Sequence, residues 1–298
     1  MRRLITLALI LCSNLAIAQP PSDEPLPQKA QQLMERITPT KHSALEVREK
    51  AQRQISRNPF GIAFNQPNYL LPFYYTGNPN SGVLAGNTPN GQPVSSNEFK
   101  FQISLKAPVF EHIMHMPLDL YLGYTQLSYW QLYQKLPYFR ESNYQPEIFF
   151  SYRPHRNWQV NLGVVHESNG RGGELERSWN RAYGQITLSG DNWLFYVKPW
   201  LLIFKRQSAD LHNPDITRFM GHEELLYAHQ LGRASLSLQV RNAERLFSRA
   251  SFTANFSIPM TKKLQFMVQG FSGYGQSLIE YNHHTNSLGV GIGLSNWF

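Results

Sequence analysis

From about residue 68 onward, apolar and polar side chains alternate with a period of two. Phe99, Phe101, Ile103 and Leu105 alternate with Lys100, Gln102, Ser104 and Lys106. Leu118, Leu120, Leu122 and Tyr124 alternate with Asp119, Tyr121, Gly123 and Thr125. The same pattern runs through 236–241, 251–258 and 288–295. Successive side chains on a strand point to opposite faces, so each run has one apolar and one polar face. About twelve such runs are present. Short links (154–157, 190–192, 259–263) alternate with longer ones (78–94, 167–178, 206–215, 242–249). A soluble β-sandwich gives the same alternation strand by strand, but short turns opposed to long loops are the pattern of a membrane barrel. The expected fold is all-β, a transmembrane antiparallel β-barrel of about 12 strands over 58–298, with its apolar face toward lipid.

The segment before the barrel reads differently. Residues 1–18 have Arg2 and Arg3, an apolar run from Leu4 to Leu11, and the small residues Ala16 and Ala18. This is the composition of a secretory signal peptide cleaved after Ala18. Residues 19–57 begin Pro-rich and continue as a charged stretch of helix formers, expected to be a polar, partly helical periplasmic arm. The single cysteine, Cys12, lies in the leader, so the mature chain has no disulfide. Phe298 at the end resembles the assembly signal of outer-membrane proteins.

Bulk properties narrow the class without deciding it. Mean hydropathy is −0.39 and no later stretch holds 18 successive apolar residues, which excludes a helical membrane protein. A barrel is compatible with a polar average because its strands alternate. The formal charge of +8 includes Arg2 and Arg3, and no basic, aromatic-laced patch points to nucleic acid.

The chemistry concentrates between Trp158 and Ser189. Val160, Leu162, Val164, His166 and Ser168 share one parity, and it is the apolar one. Asn180 has the matching parity on the next run, with Ala182, Gly184, Ile186 and Leu188. Polar groups on a greasy face are costly unless they partner each other. Ser168 as nucleophile, His166 as general base and Asn180 as the group orienting the ring would do so. The G-x-S-x-G elbow of the α/β-hydrolases is absent. His222, Glu223, Glu224, His283 and His284 show no metal-ligand spacing.

The segments HESNGR (166–171) and RSWNR (177–181) are similar to the active-site stretch of the outer-membrane phospholipase A family. The resemblance extends to Tyr124-Thr-Gln126, Trp130-Gln131-Leu132, Phe139-Arg140-Glu141, Asn143-Tyr144, Val197-Lys198-Pro199-Trp200, Asn213-Pro-Asp215-Ile216 and Ser272-Gly-Tyr-Gly275. It implies a calcium-dependent esterase of the outer membrane that cleaves acyl chains from phospholipids and lysophospholipids at the outer leaflet, through His166, Ser168 and Asn180. It also implies an oxyanion donor at Gly170 and a calcium ion held by the Arg171 carbonyl, the Glu176 side chain and a carbonyl of the partner subunit, aligned with Leu136. Glu176 departs from the serine usual in the family; a carboxylate is a competent calcium ligand. A second calcium site of the family falls on Gly173 and His212 and is expected to be missing. Gln126, on the lipid-facing parity, is expected to meet its twin in a homodimer that is active, with the monomer at rest. The readings from other classes are a non-catalytic porin-like barrel and another barrel enzyme such as a lipid A deacylase.

Overall fold

The computed structural model describes residues 43–56, 61–204, 212–246, 248–261, 263–295 and 297–298. The expected leader, 1–18, and most of the expected arm lie outside them. A helix α1 (Ala44–Ser56) precedes thirteen strands. These are β1 (Ala63–Phe64), β2 (Tyr69–Thr76), β3 (Asn97–Phe110), β4 (Leu118–Gln131), β5 (Tyr138–His155), β6 (Trp158–Ser168), β7 (Ser178–Ser189) and β8 (Trp193–Ile203). After a short helix α2 (Ile216–Met220) come β9 (Glu223–Leu231), β10 (Ala234–Arg241), β11 (Ser251–Pro259), β12 (Gln265–Tyr274) and β13 (His284–Gly293).

Each strand from β2 to β13 pairs antiparallel with its neighbour in sequence, and β13 pairs back onto β2. Twelve strands therefore close into a barrel. The two-residue β1 lies beside β3 and continues the row of β2. Closure leaves no strand edge with unsatisfied backbone groups, which hydrocarbon would not tolerate.

The period-two pattern becomes an inside-out molecule. Leu122, Leu162, Leu201, Leu236 and Leu288 are exposed on the outer wall. Glu98, Lys100, Arg140, Glu141, Glu147, Glu167 and Arg181 are buried inside. Buried charges persist only when paired. Arg140 accordingly donates Nε and Nη2 to Glu98 (2.9 and 2.8 Å) and Nη1 to Glu280 (2.7 Å). Tyr183 donates to Glu147 (2.6 Å), which also accepts from Asn65 (2.7 Å). Aromatic clusters mark both rims, Trp130 stacked on Phe139 at one and Tyr152 against Trp158 at the other, as in the girdles of membrane barrels.

Both ends are stoppered. At the long-loop end, residues 275–283 turn inward, which the loop-length pattern did not flag. Leu278 and Ile279 are buried there and donate their N–H groups to Asn143 (2.9 Å) and Glu141 (3.1 Å). Gln276 donates to Tyr74 and Ser287 (both 2.8 Å). At the short-link end, α1 docks through the Ala44 N–H on the Gly190 carbonyl (2.8 Å), an ion pair of Glu49 with Arg153, and Arg48, which bonds the Asn65 carbonyl and lies 5.1 Å from the centre of the Trp297 ring. Burial pulls the Arg48 guanidinium down to about 10, against a smaller upward pull from Tyr196. A polar cavity of about 350 Å³ remains in this half of the lumen, lined by Lys106, Asp119, Glu147, Tyr196, Lys198 and Glu224 among others.

Candidate active site

The register between β6 and β7 places His166 directly opposite Asn180, and Ser168 opposite Ser178. Leu162, Val164 and His166 are exposed on the outer wall, while Val165 and Glu167, on either side of His166, are buried inside. Across the rung, His166 Nδ1 and Asn180 Oδ1 are 2.9 Å apart. An amide oxygen only accepts, so Nδ1 carries the hydrogen and Nε2 is left as the base; the tautomer follows from the partner. Ser168 lies two residues on, with the same parity. Its hydroxyl makes no hydrogen bond to the ring among the described residues, and such bonds commonly tighten only with substrate bound.

The wall behind this face is cross-braced by buried side chains. Glu167 points inward and accepts from Trp179 Nε1 (2.8 Å) and Arg181 (2.6 Å). Trp179 meets Trp200 edge-on, within a core that includes Phe149, Val165 and Tyr183. Alternation along β7 leaves Arg181 and Tyr183 on its inner face, where both are buried; it gives no sign of the Glu167 bridge.

Residues 169–177 connect the two strands. Asn169 is buried and accepts from the N–H groups of Arg171 (3.3 Å) and Arg177 (3.0 Å), while its own amide donates to the Leu175 carbonyl (2.8 Å). One side chain thus closes the loop on itself. Gly170 has φ +64°, and a Cβ there would lie 3.0 Å from the Tyr144 ring. Both the left-handed backbone and the close approach require glycine. Arg171 reaches back to β5, giving Nε to Glu141 (3.2 Å) and Nη2 to the Arg140 carbonyl (2.5 Å). Asn213, fully buried, exchanges hydrogen bonds with the Ser178 backbone and holds the far end.

The residues expected to hold calcium are only partly gathered. Arg171 and Glu176 share this loop. Glu176 is half-buried, its carboxylate enters none of the ion pairs of the described residues, and its N–H donates to Gly173 (3.0 Å). Leu136 sits on another link, between β4 and β5, where its carbonyl accepts from Gln92 (2.6 Å). No cluster of three His, Cys, Asp or Glu side chains able to hold a metal occurs among the described residues. Gln126 is half-buried and satisfied within its own chain, accepting from Tyr124 (3.1 Å) and donating to Ser128 (3.0 Å).

A model of the phospholipase A1 family matches residues 45–294. The chain belongs to that family. Phospholipase A1 of Salmonella typhimurium is 37% identical over 251 residues, 81% of this chain and 84% of the relative. The Escherichia coli K12 protein of the same name is 35% identical over 250 residues, 81% and 84%. Among solved structures, the outer-membrane phospholipase dimer of Salmonella typhi with bound calcium is 35% identical with a TM-score of 0.75, over 83% of this chain and 97% of that one. An active-site mutant of the Escherichia coli outer-membrane phospholipase A, an asparagine changed to alanine, gives 33% and 0.76, over 85% and 100%. The chain is thus a carboxylic ester hydrolase on the twelve-stranded barrel of this family. Helix α1 falls largely inside the matched region.

Proposed function

We infer that this phospholipase A1 family member is a calcium-dependent enzyme of the outer membrane. It hydrolyses acyl esters of phospholipids and lysophospholipids, at either acyl position, from the outer leaflet. The observation that carries the reading is the His166–Asn180 hydrogen bond on the lipid-facing wall, with Ser168 on the same face two residues away.

Ser168 Oγ attacks the ester carbonyl as His166 Nε2 takes its proton. Asn180 keeps the other ring nitrogen protonated and the ring in place. The tetrahedral oxyanion is met by the Gly170 N–H. It collapses to an acyl-serine as His166 returns the proton to the leaving alcohol. Water, deprotonated by His166, then releases the fatty acid and restores Ser168.

The donor set fits calcium, a hard cation that takes oxygen ligands. Arg171 offers its carbonyl and Glu176 a carboxylate outside the loop's ion pairs. A carbonyl has two lone pairs, so the Leu136 carbonyl keeps one for a partner's site while bonded to Gln92. Calcium bound there supplies positive charge beside the developing oxyanion. One chain brings only part of this ligand set to its own site, so the active species is a homodimer and the monomer is the resting form.

The test is phospholipid hydrolysis by the purified, refolded protein with and without a chelator. Wild-type protein should release fatty acid only when calcium is present, and Ser168→Ala should release none. Undiminished turnover by Ser168→Ala would sink the reading.

A further inference from the structure

Glu141 and Arg171 join the catalytic loop to the barrel interior. Glu141 is fully buried on β5 and held from three directions. One oxygen accepts from Asn143 (2.8 Å) and from the Ile279 N–H of the inward-turned loop (3.1 Å), the other from Arg171 Nε (3.2 Å). Arg171 also gives Nη2 to the carbonyls of Arg140 (2.5 Å) and Phe139 (3.4 Å). A side chain that starts in the catalytic loop is therefore clamped to fixed points on the wall.

Gly170 sits between two such anchors. Asn169 on one side is locked by three hydrogen bonds within the loop, and Arg171 on the other by the clamp. Pinning both neighbours fixes the plane of the peptide between them, in a left-handed conformation over the Tyr144 ring. Stability alone is a poor reason for the pair, because well-packed apolar side chains commonly serve as well as a buried ion pair. Direction is what a planar guanidinium adds and an ammonium cannot. We propose that Glu141 and Arg171 are positioning residues that aim the Gly170 N–H at the oxyanion. This rests on the reading of Gly170 as the oxyanion donor.

The experiment uses refolded full-length Arg171→Lys, Glu141→Gln and their double variant, beside Ser168→Ala. Arg171→Lys keeps the charge and loses the fork. It should lower kcat about 10- to 100-fold, the scale of a misplaced reacting group, with little change in KM. The barrel should keep its heat-dependent shift in gel mobility. The deficit should persist at saturating calcium, and the double variant should be no worse than the worse single one, as for two residues acting as a unit. A folded Arg171→Lys with wild-type kcat overturns the proposal. So does full recovery of kcat at saturating calcium, which would assign the clamp to the metal-binding carbonyl instead. An inactive Ser168→Ala beside a normal Arg171→Lys overturns the clamp alone, whereas an active Ser168→Ala overturns the triad and the clamp together.

Discussion

His166 and Asn180 occupy the two ends of one antiparallel rung, ring nitrogen to amide oxygen at 2.9 Å, both on the outer wall. The relationship is set by register, because a one-residue slip would turn one of the two into the lumen. Glu167 guards against that slip from the other side, bridging to Trp179 and Arg181 of β7.

Removing the orienting group should therefore hurt less than removing a reacting one. Asn180→Ala is expected to lower kcat by about 100-fold or less, the low end of what positioned acid–base groups contribute, while His166→Ala loses turnover altogether. Stopped assays on a short-chain ester would resolve the two. Equal losses in both variants would mean that Asn180 does more than orient the ring.

Glu176→Ala should change how much calcium is needed rather than the rate once it is bound. The calcium concentration for half-maximal activity should rise by about 10-fold or more, the loss that even a supporting residue of a metal site produces. Titration of chelated protein with calcium gives both numbers. An unchanged midpoint would remove Glu176 from the ligand set.

Gln126 has partners within one chain, Tyr124 and Ser128, so the monomer does not leave this amide orphaned. A glutamine pair across an interface should then bias association by about 1 kcal/mol without locking it. Cross-linking in detergent should show dimer when both calcium and a covalent serine inhibitor are present, and less of it for Gln126→Leu. Full activity in protein that stays monomeric throughout the assay would refute activation by dimerisation.

Arg140→Met tests the interior. It leaves Glu98 and Glu280 buried without their cation and should cost about 3–5 kcal/mol near neutral pH, read as a lower urea midpoint. Burial works against the ionised Glu280 carboxylate, and Arg140 outweighs it, holding its pKa below the ordinary 4.5. The stability that Glu280 contributes is thus present above the carboxyl's unfolded value and lost as pH falls through the lowered native one. The variant has no such contribution to lose, so the gap to wild type should narrow on acidification toward pH about 3. A constant gap would show that Glu280 is not the partner that matters.

Much of the fold and of the candidate site is legible in the sequence. Parity put His166, Ser168 and Asn180 on the outward face, and the family resemblance singled them out as a set; the register that brings His166 opposite Asn180 is read from the fold. The strand count followed from the same alternation. The inward turn of 275–283 was hidden, since Leu278 and Ile279 look like any apolar pair until Asn143 and Glu141 are seen to bind their backbone. The clamp on Arg171 was hidden for a similar reason. Glu141 is far from it in sequence, and alternation says which way a carboxylate points but not which cation reaches it. Helix α1 falls within the stretch expected to be a polar, partly helical arm, and composition could not say that Arg48 and Glu49 find partners on Trp297 and Arg153.

His166 and Asn180 lie on the outer wall, so on the proposed mechanism the catalytic face is reached from the side, whatever fills the lumen. Substrate then arrives by drifting in the plane of the membrane, and its supply is counted per area rather than per volume. Turnover should follow the mole fraction of substrate among the surrounding amphiphiles. Adding inert detergent at fixed total lipid would slow the enzyme by dilution in two dimensions, with no change in any bond of the site.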